Sequence, residues 1–170
     1  YFPPAYAFDG PVNVAFQISK ELVKRGHEVV VYTSDARDLN SRLNVDPSGM
    51  IDGIKVYYLR NLSFMFAKNL KLLITPSLLS ITRENLNEFD VIHLREYRTF
   101  QNIVIHHYAK KYGVPYVLQA HGSLPRIMVK QGLKWIYDVL FGYRLLRDAS
   151  KVIALNQTEA QQYREMGVPE

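Results

Sequence analysis

His121-Gly122 directly follows an apolar run, and a second glycine, Gly10, lies between Asp9 and Pro11 at the head of an amphipathic stretch. At a helix start, Gly10 lets backbone amides approach a phosphate closely, and the positive helix end favours the anion. A plain tight turn would explain the same glycine. A neutral imidazole carries one donor and one acceptor, so His121 can serve a phosphate or a sugar hydroxyl, or it can be a structural histidine. Arg95-Glu96-Tyr97-Arg98 and Arg126 add charge, although Arg95 and Glu96 can equally pair with one another. His106 and His107 are adjacent on a helical segment and so about 100° apart, poor geometry for sharing a metal. His93 sits inside an apolar strand, where a hydrogen-bonded core histidine is the better reading.

The elements that must position these groups follow from punctuation and period. Short β-branched runs alternate with longer helical stretches, the pattern of βα units and a parallel sheet, so the fold class is α/β and doubly wound with helices flanking a mainly parallel sheet. Residues 11–25 read as a helix with Pro11 in its first turn, Ala15, Ile18 and Leu22 on one face, Lys24 and Arg25 in the last turn and Gly26 as its stop. Strands are expected at 29–33, 54–59, 90–94, 116–120 and 151–155. Residues 36–53, with the turn signature Asp46-Pro47-Ser48-Gly49, read as an exposed connection. Residues 64–88 read as mostly helical and split by Pro76, and residues 64–72 mix aromatics and lysines as an interfacial or a core-facing helix would. Further helices are expected at 99–111 and 130–147, and one that Thr158 and Gln161 cap ends at Gly167.

In open parallel sheets, ligands bind beyond the carboxyl ends of the strands. That rule selects the loop 6–11, Ser34-Asp35, Arg95 to Arg98, His121 to Arg126 and Asn156-Gln157, a polar set expected to converge on one rim. A strand normally precedes the first glycine-bearing loop of such a sheet, yet only two residues stand before Pro3, so a first strand is expected to be missing.

The 170 residues suffice for one domain with one core. There is no cysteine, which removes disulfides, thiolate metal sites and a cysteine nucleophile and permits a cytosolic life. No apolar stretch reaches the roughly 18 residues of a spanning helix, and no signal-peptide order appears. The net charge of +5 suits a phosphate, a nucleotide or an anionic lipid surface, or is simply a solvated basic surface. With no Gly-x-Gly-x-x-Gly, phosphate loop, Gly-x-Ser-x-Gly or metal-ligand spacing, dehydrogenase, P-loop and hydrolase chemistry lose their main support.

The opening Tyr1-Phe2-Pro3-Pro4, Asp9-Gly10-Pro11 and the passage Lys24-Arg25-Gly26-His27-Glu28 into Val29-Val30-Val31-Tyr32-Thr33 resemble the retaining glycosyltransferases of family 4. Phe89-Asp90-Val91-Ile92-His93-Leu94, Tyr112-Gly113-Val114-Pro115-Tyr116-Val117 with His121-Gly122, and Ala149-Ser150-Lys151-Val152-Ile153-Ala154-Leu155 follow in the family's order. The resemblance implies the Rossmann-like N-terminal, acceptor-side half of a two-domain GT-B enzyme that transfers a sugar from a UDP- or GDP-sugar with retention of configuration, with no cofactor and no metal. It implies that Gly10 nears the donor diphosphate, with Asp9 and Gly122 beside the donor, and that His121 approaches the transferred sugar as the catalytic-side residue. Arg95, Glu96, Tyr97 and Arg126 are expected to orient the acceptor. Asp9 replaces the family's usual first glycine, and a carboxylate beside a diphosphate repels it unless it turns away or meets a cation.

The implied partners are the nucleotide sugar, a sugar or lipid-linked acceptor, the protein's own C-terminal domain and an anionic membrane surface, with no nucleic acid. The expected location is the cytoplasm, peripheral to the membrane. The family's paired-glutamate motif belongs to the second half, so this chain by itself is expected to be inactive. A nucleotide-sugar epimerase half and a non-catalytic ligand-binding domain are the rival readings.

Overall fold

A computed structural model of the chain describes residues 1–8, 10–65, 68, 72–126 and 130–168. The fold is mixed α/β, with parallel strands flanked by helices, and it divides into two compact units, Tyr1–Leu78 and Leu79–Glu170.

In the first unit, α1 spans Gly10–Lys24 and buries Val12, Ala15 and Ser19, with Phe16 and Val23 partly covered. The face expected from Ala15, Ile18 and Leu22 is thus rotated toward Val12, Ala15 and Ser19, and Leu22 is 37% exposed. Gly26, at φ 86°, closes the helix: its N–H donates to Val23 O and that of His27 to Leu22 O. This pair of hydrogen bonds needs a left-handed residue, hence glycine.

Strand β1 (Val30–Ser34) pairs in parallel with β3 (Ile54–Leu59), and β2 (Ser48–Ile51) pairs antiparallel on the other edge of β3. The segment 36–53, read as an exposed connection, therefore contains a strand. Asp52 and Gly53, both with positive φ, form the two-residue turn between β2 and β3, the backbone geometry of a hairpin whose twist matches its strands. Along β3, Ile54, Val56 and Tyr58 point inward onto Phe2 and Ala15, while Lys55 points out. A smaller cluster joins Ala36 and Leu73 with Leu39 and Phe64. Residues 66, 67 and 69–71, where a helix is expected, lie outside the described residues.

Pro76 sits just before α2 (Ser77–Asn85), where a missing N–H costs nothing. In the second unit, β4 (Ile92–Arg95), β5 (Tyr116–Gln119) and β6 (Lys151–Ile153) form an all-parallel sheet in the order β4-β5-β6. Helix α3 (Phe100–Tyr112) is capped by the Thr99 side chain, which accepts the Asn102 N–H at 3.1 Å, and ends at Gly113. Its buried Val104, Ile105 and Ala109 face inward, as do Leu94, Leu118 and Leu145. Leu118 is fully buried, worth roughly 1.5–3 kcal/mol relative to exposure.

The expected helix 130–147 is three pieces: α4 (Gln131–Tyr137), a wide π-turn (Asp138–Gly142) and α5 (Tyr143–Arg147). The last helix, α6 (Gln157–Glu165), is capped by Asn156, which accepts the Glu159 N–H at 2.9 Å; Thr158 lies inside the helix instead of capping it. Asn156 presents its carboxamide oxygen from an extended backbone, the geometry a cap requires.

Candidate functional site

Within the first unit, the residues the sequence selects are Gly10 and the Ser34-Asp35 strand end. Gly10 is exposed at the first position of α1, with open space where a side chain would stand. Asp9 lies outside the described residues. Asp35 is committed to structure: its carboxylate pairs with Arg42 and accepts the Asn61 N–H at 2.8 Å, and Arg42 also reaches Asn61 O at 2.7 Å.

The remaining strand-end groups belong to the second unit, where the parallel register sets Arg95 at the end of β4 beside Gln119 at the end of β5. Beyond those ends the chain turns sharply, with Glu96 at φ 64°, His121 at 52° and Gly122 at 76°. Non-glycine residues seldom hold positive φ, so the two turns need support from outside. For the Glu96 turn, Asn102 donates to Glu96 O at 2.8 Å and to Tyr97 O at 3.1 Å, and Ser123 Oγ accepts the Tyr97 N–H at 3.0 Å.

The His121 turn is held from α6. Glu159, only 3% exposed, accepts the Gly122 N–H with one carboxylate oxygen and the Leu155 N–H with the other, each at 2.7 Å. Tyr163 Oη accepts the Ala120 N–H at 2.9 Å. The Gly122 amide is therefore engaged, and what this glycine offers the turn is its backbone conformation.

His121 Nε2 lies 2.7 Å from Arg95 Nη2. Guanidinium can only donate, so Nε2 accepts, and the neutral ring carries its proton on Nδ1. Burial, and next the Arg95 charge, lower the His121 pKa to about 4, against the pull of the Glu159 carboxylate. Burial likewise pushes the Glu96 carboxyl up, against Arg95. The rim thus presents a neutral imidazole and a guanidinium, which suits hydrogen bonding to hydroxyls and phosphate oxygens without an imidazolium.

Tyr97 does not face this rim. Its side chain is fully buried, with the hydroxyl against Gly142 and the ring edge-on to Tyr137 at 6.1 Å. Arg98 and Asp138, which the sequence does not single out as a pair, carry the wall behind it. Arg98 Nε and Nη2 donate to the two Asp138 oxygens at 2.8 and 2.7 Å, and Nη2 also reaches Leu124 O at 2.8 Å. Asp138 is completely buried, and Arg126 Nε approaches it at 3.5 Å while Nη2 donates to Tyr143 Oη at 3.2 Å. Arg126 is half-buried and tied to this wall. Asn156 caps α6, and Gln157 is exposed at its first position.

The sequence signal for Glu159 was available: an Asn three residues before a Glu is a capping pair, here with the carboxylate turned to Leu155 and Gly122. Among the described residues no three His, Asp or Glu side chains gather as a metal site.

The family model for Glycosyltransferase Family 4 matches residues 8–170. None of the curated proteins matches the chain significantly. A match over nearly the whole chain, joined to parallel strands flanked by helices, shows that the chain belongs to glycosyltransferase family 4.

Proposed function

We propose that this domain is the acceptor-side half of a two-domain GT-B enzyme that moves a sugar from a nucleotide sugar to an acceptor with retention of configuration. In the full enzyme, His121 meets the transferred sugar, the start of α1 at Gly10 serves the donor diphosphate, and Arg95, Glu96 and Arg126 orient the acceptor. The observation that carries this reading is the His121–Arg95 contact of 2.7 Å on a turn clamped by a buried carboxylate. It leaves Nδ1–H as the donor for a sugar hydroxyl and keeps the ring uncharged at neutral pH. In such a transfer, charge develops on the departing diphosphate, and a helix N-terminus stabilises it.

The cytoplasm is the proposed location, and the 170-residue chain alone is proposed to be inactive because the donor-gripping half is a separate domain. The test is nucleotide release by the natural full-length protein with UDP-, GDP- and ADP-sugars, with His121→Ala alongside. Release that falls at least tenfold in the variant is expected. Release unaffected by the variant would return His121 to structure, and no release with any donor would favour a binding domain on this scaffold.

A further inference from the structure

Asp138 is fully buried and the Arg98 side chain nearly so. Taking two charges out of water costs about as much as their attraction returns, so an apolar pair of similar volume is often at least as stable. The helical run also gives up regular geometry where it places Asp138, the first residue of the π-turn Asp138–Gly142. Such turns are rare and gather at functional sites. This one closes at Gly142, where a Cβ would lie 2.2 Å from the Tyr97 hydroxyl oxygen, so the turn and the segment after β4 are fitted to one another. Packing alone calls for neither the charges nor the wide turn.

What the pair holds is the chain beside His121. With Nε and Nη2 on the two Asp138 oxygens, Arg98 donates from Nη1 to Ser123 O and from Nη2 to Leu124 O at 2.8 Å. These carbonyls stand two and three residues after His121, beyond the β5 ladder, which stops at Gln119. Ser123 Oγ ties the same loop to the Arg98 segment, accepting the Tyr97 N–H at 3.0 Å and donating to Ala120 O. Glu159 grips the turn at the Gly122 N–H, and Arg98 grips it from the carbonyl side. Held on both sides, His121 is kept in its left-handed conformation at φ 52°. Asp138 also draws Arg126, whose Nε lies 3.5 Å away.

We propose that Arg98 is a positioning residue for His121, with Asp138 on the π-turn as its anchor: the pair fixes the turn in the orientation that sets the imidazole against Arg95. The catalytic consequence rests on the sugar-side role of His121 proposed above, whereas the geometric one does not.

Arg98→Met with Asp138→Leu removes both charges, strands neither and keeps an apolar filling, so the fold should survive while the grip on Ser123 and Leu124 is lost. Arg98→Lys keeps a cation opposite Asp138 but lacks the fork that serves both carboxylate oxygens and two carbonyls. The natural full-length protein and these variants are followed by nuclear magnetic resonance of the His121 ring, assigned by the signal lost in His121→Gln. In each variant the ring should titrate roughly one pH unit or more above its value of about 4, because a loosened ring is better hydrated and farther from Arg95. The kcat of nucleotide release should fall roughly tenfold or more, with the donor KM within about twofold of the parent. Asp148→Asn, whose partners Lys110, His106 and Arg147 lie away from this loop, should leave both the midpoint and kcat unchanged. An unmoved His121 midpoint in the folded double variant overturns the proposal, as does an equal shift in Asp148→Asn. A midpoint that moves while kcat stays overturns the positioning role. If the parent releases no nucleotide with any donor, the sugar-transfer reading fails and the titration alone decides whether the pair holds His121.

Discussion

Glu159 on α6 holds the backbone N–H of Gly122, 37 residues earlier in the chain, at 2.7 Å, and so fixes the turn that presents His121. A carboxylate can satisfy both this amide and that of Leu155, whereas a carboxamide turns its NH₂ toward one of them. Glu159→Gln should therefore destabilise the domain by about 1–3 kcal/mol, read as a lower urea midpoint with an unchanged slope. An unchanged midpoint would mean that the clamp contributes nothing to stability.

Arg98 with Asp138 is a doubly hydrogen-bonded, nearly water-free pair, and removing one partner strands the other. Asp138→Ala is expected to cost about 3–5 kcal/mol. Arg98→Lys should be poorly tolerated as well, because an ammonium cannot reproduce the fork that meets both oxygens. Thermal unfolding of the two variants checks both.

A methyl group on Gly142 would lie 2.2 Å from the Tyr97 hydroxyl oxygen and 2.9 Å from its ring carbon. Gly142→Ala should cost about 1–3 kcal/mol through overpacking. In a Tyr97→Phe background part of that cost should vanish, giving a coupling energy of about 0.5 kcal/mol or more in a double-mutant cycle.

His121 is lowered to about 4, by burial and then by Arg95. The unfolded imidazole takes a proton near pH 6.5, well before the folded one does. Its contribution to stability is thus complete above about pH 6.5 and falls away as the pH drops toward 4. A nuclear magnetic resonance titration should show the ring neutral to about that value, and Arg95→Gln should move its midpoint upward.

Asp148 runs on a lower window. Burial raises its pKa, but hydrogen bonds from Lys110 and His106 outweigh that and bring it to about 2. Its stabilisation is present above the ordinary carboxylate range and disappears as the pH falls through 2. Asp148→Asn should accordingly be destabilising at pH 7, with a difference from the parent that shrinks between pH 4 and 2.

Most of the scaffold was legible in the sequence because it rests on local signals. The run at 54–59 becomes β3 over the same residues, and Gly26 and Gly113 stop their helices where the left-handed cap predicts. What was hidden depends on partners distant in sequence. Strand β2 is exposed and not apolar, and only its pairing with β3 across Asp52-Gly53 makes it a strand; that dipeptide was the available hint. The π-turn interrupts a stretch whose period looks helical throughout, in the place where Asp138 meets Arg98 and Gly142 meets Tyr97. Arg95 and His121 were selected as strand-end residues, and their contact follows from the β4–β5 register. The interior position of Tyr97 could not be read, since a tyrosine after a strand suits a rim or a core equally well.

The ladder between β5 and β6 stops at Gln119 and Ile153, and beyond it the phenol of Tyr163 takes over, accepting the Ala120 N–H at 2.9 Å and lying 3.4 Å from Ile153 O, to which it donates. A phenolic hydroxyl thus works as a keystone where the arch would otherwise need one more strand residue on each side. The main chain is thereby satisfied at that point by a side chain from α6 instead of by the loops beyond. The strand tips become a fixed socket, and the turn that presents His121 is seated in it by the same helix.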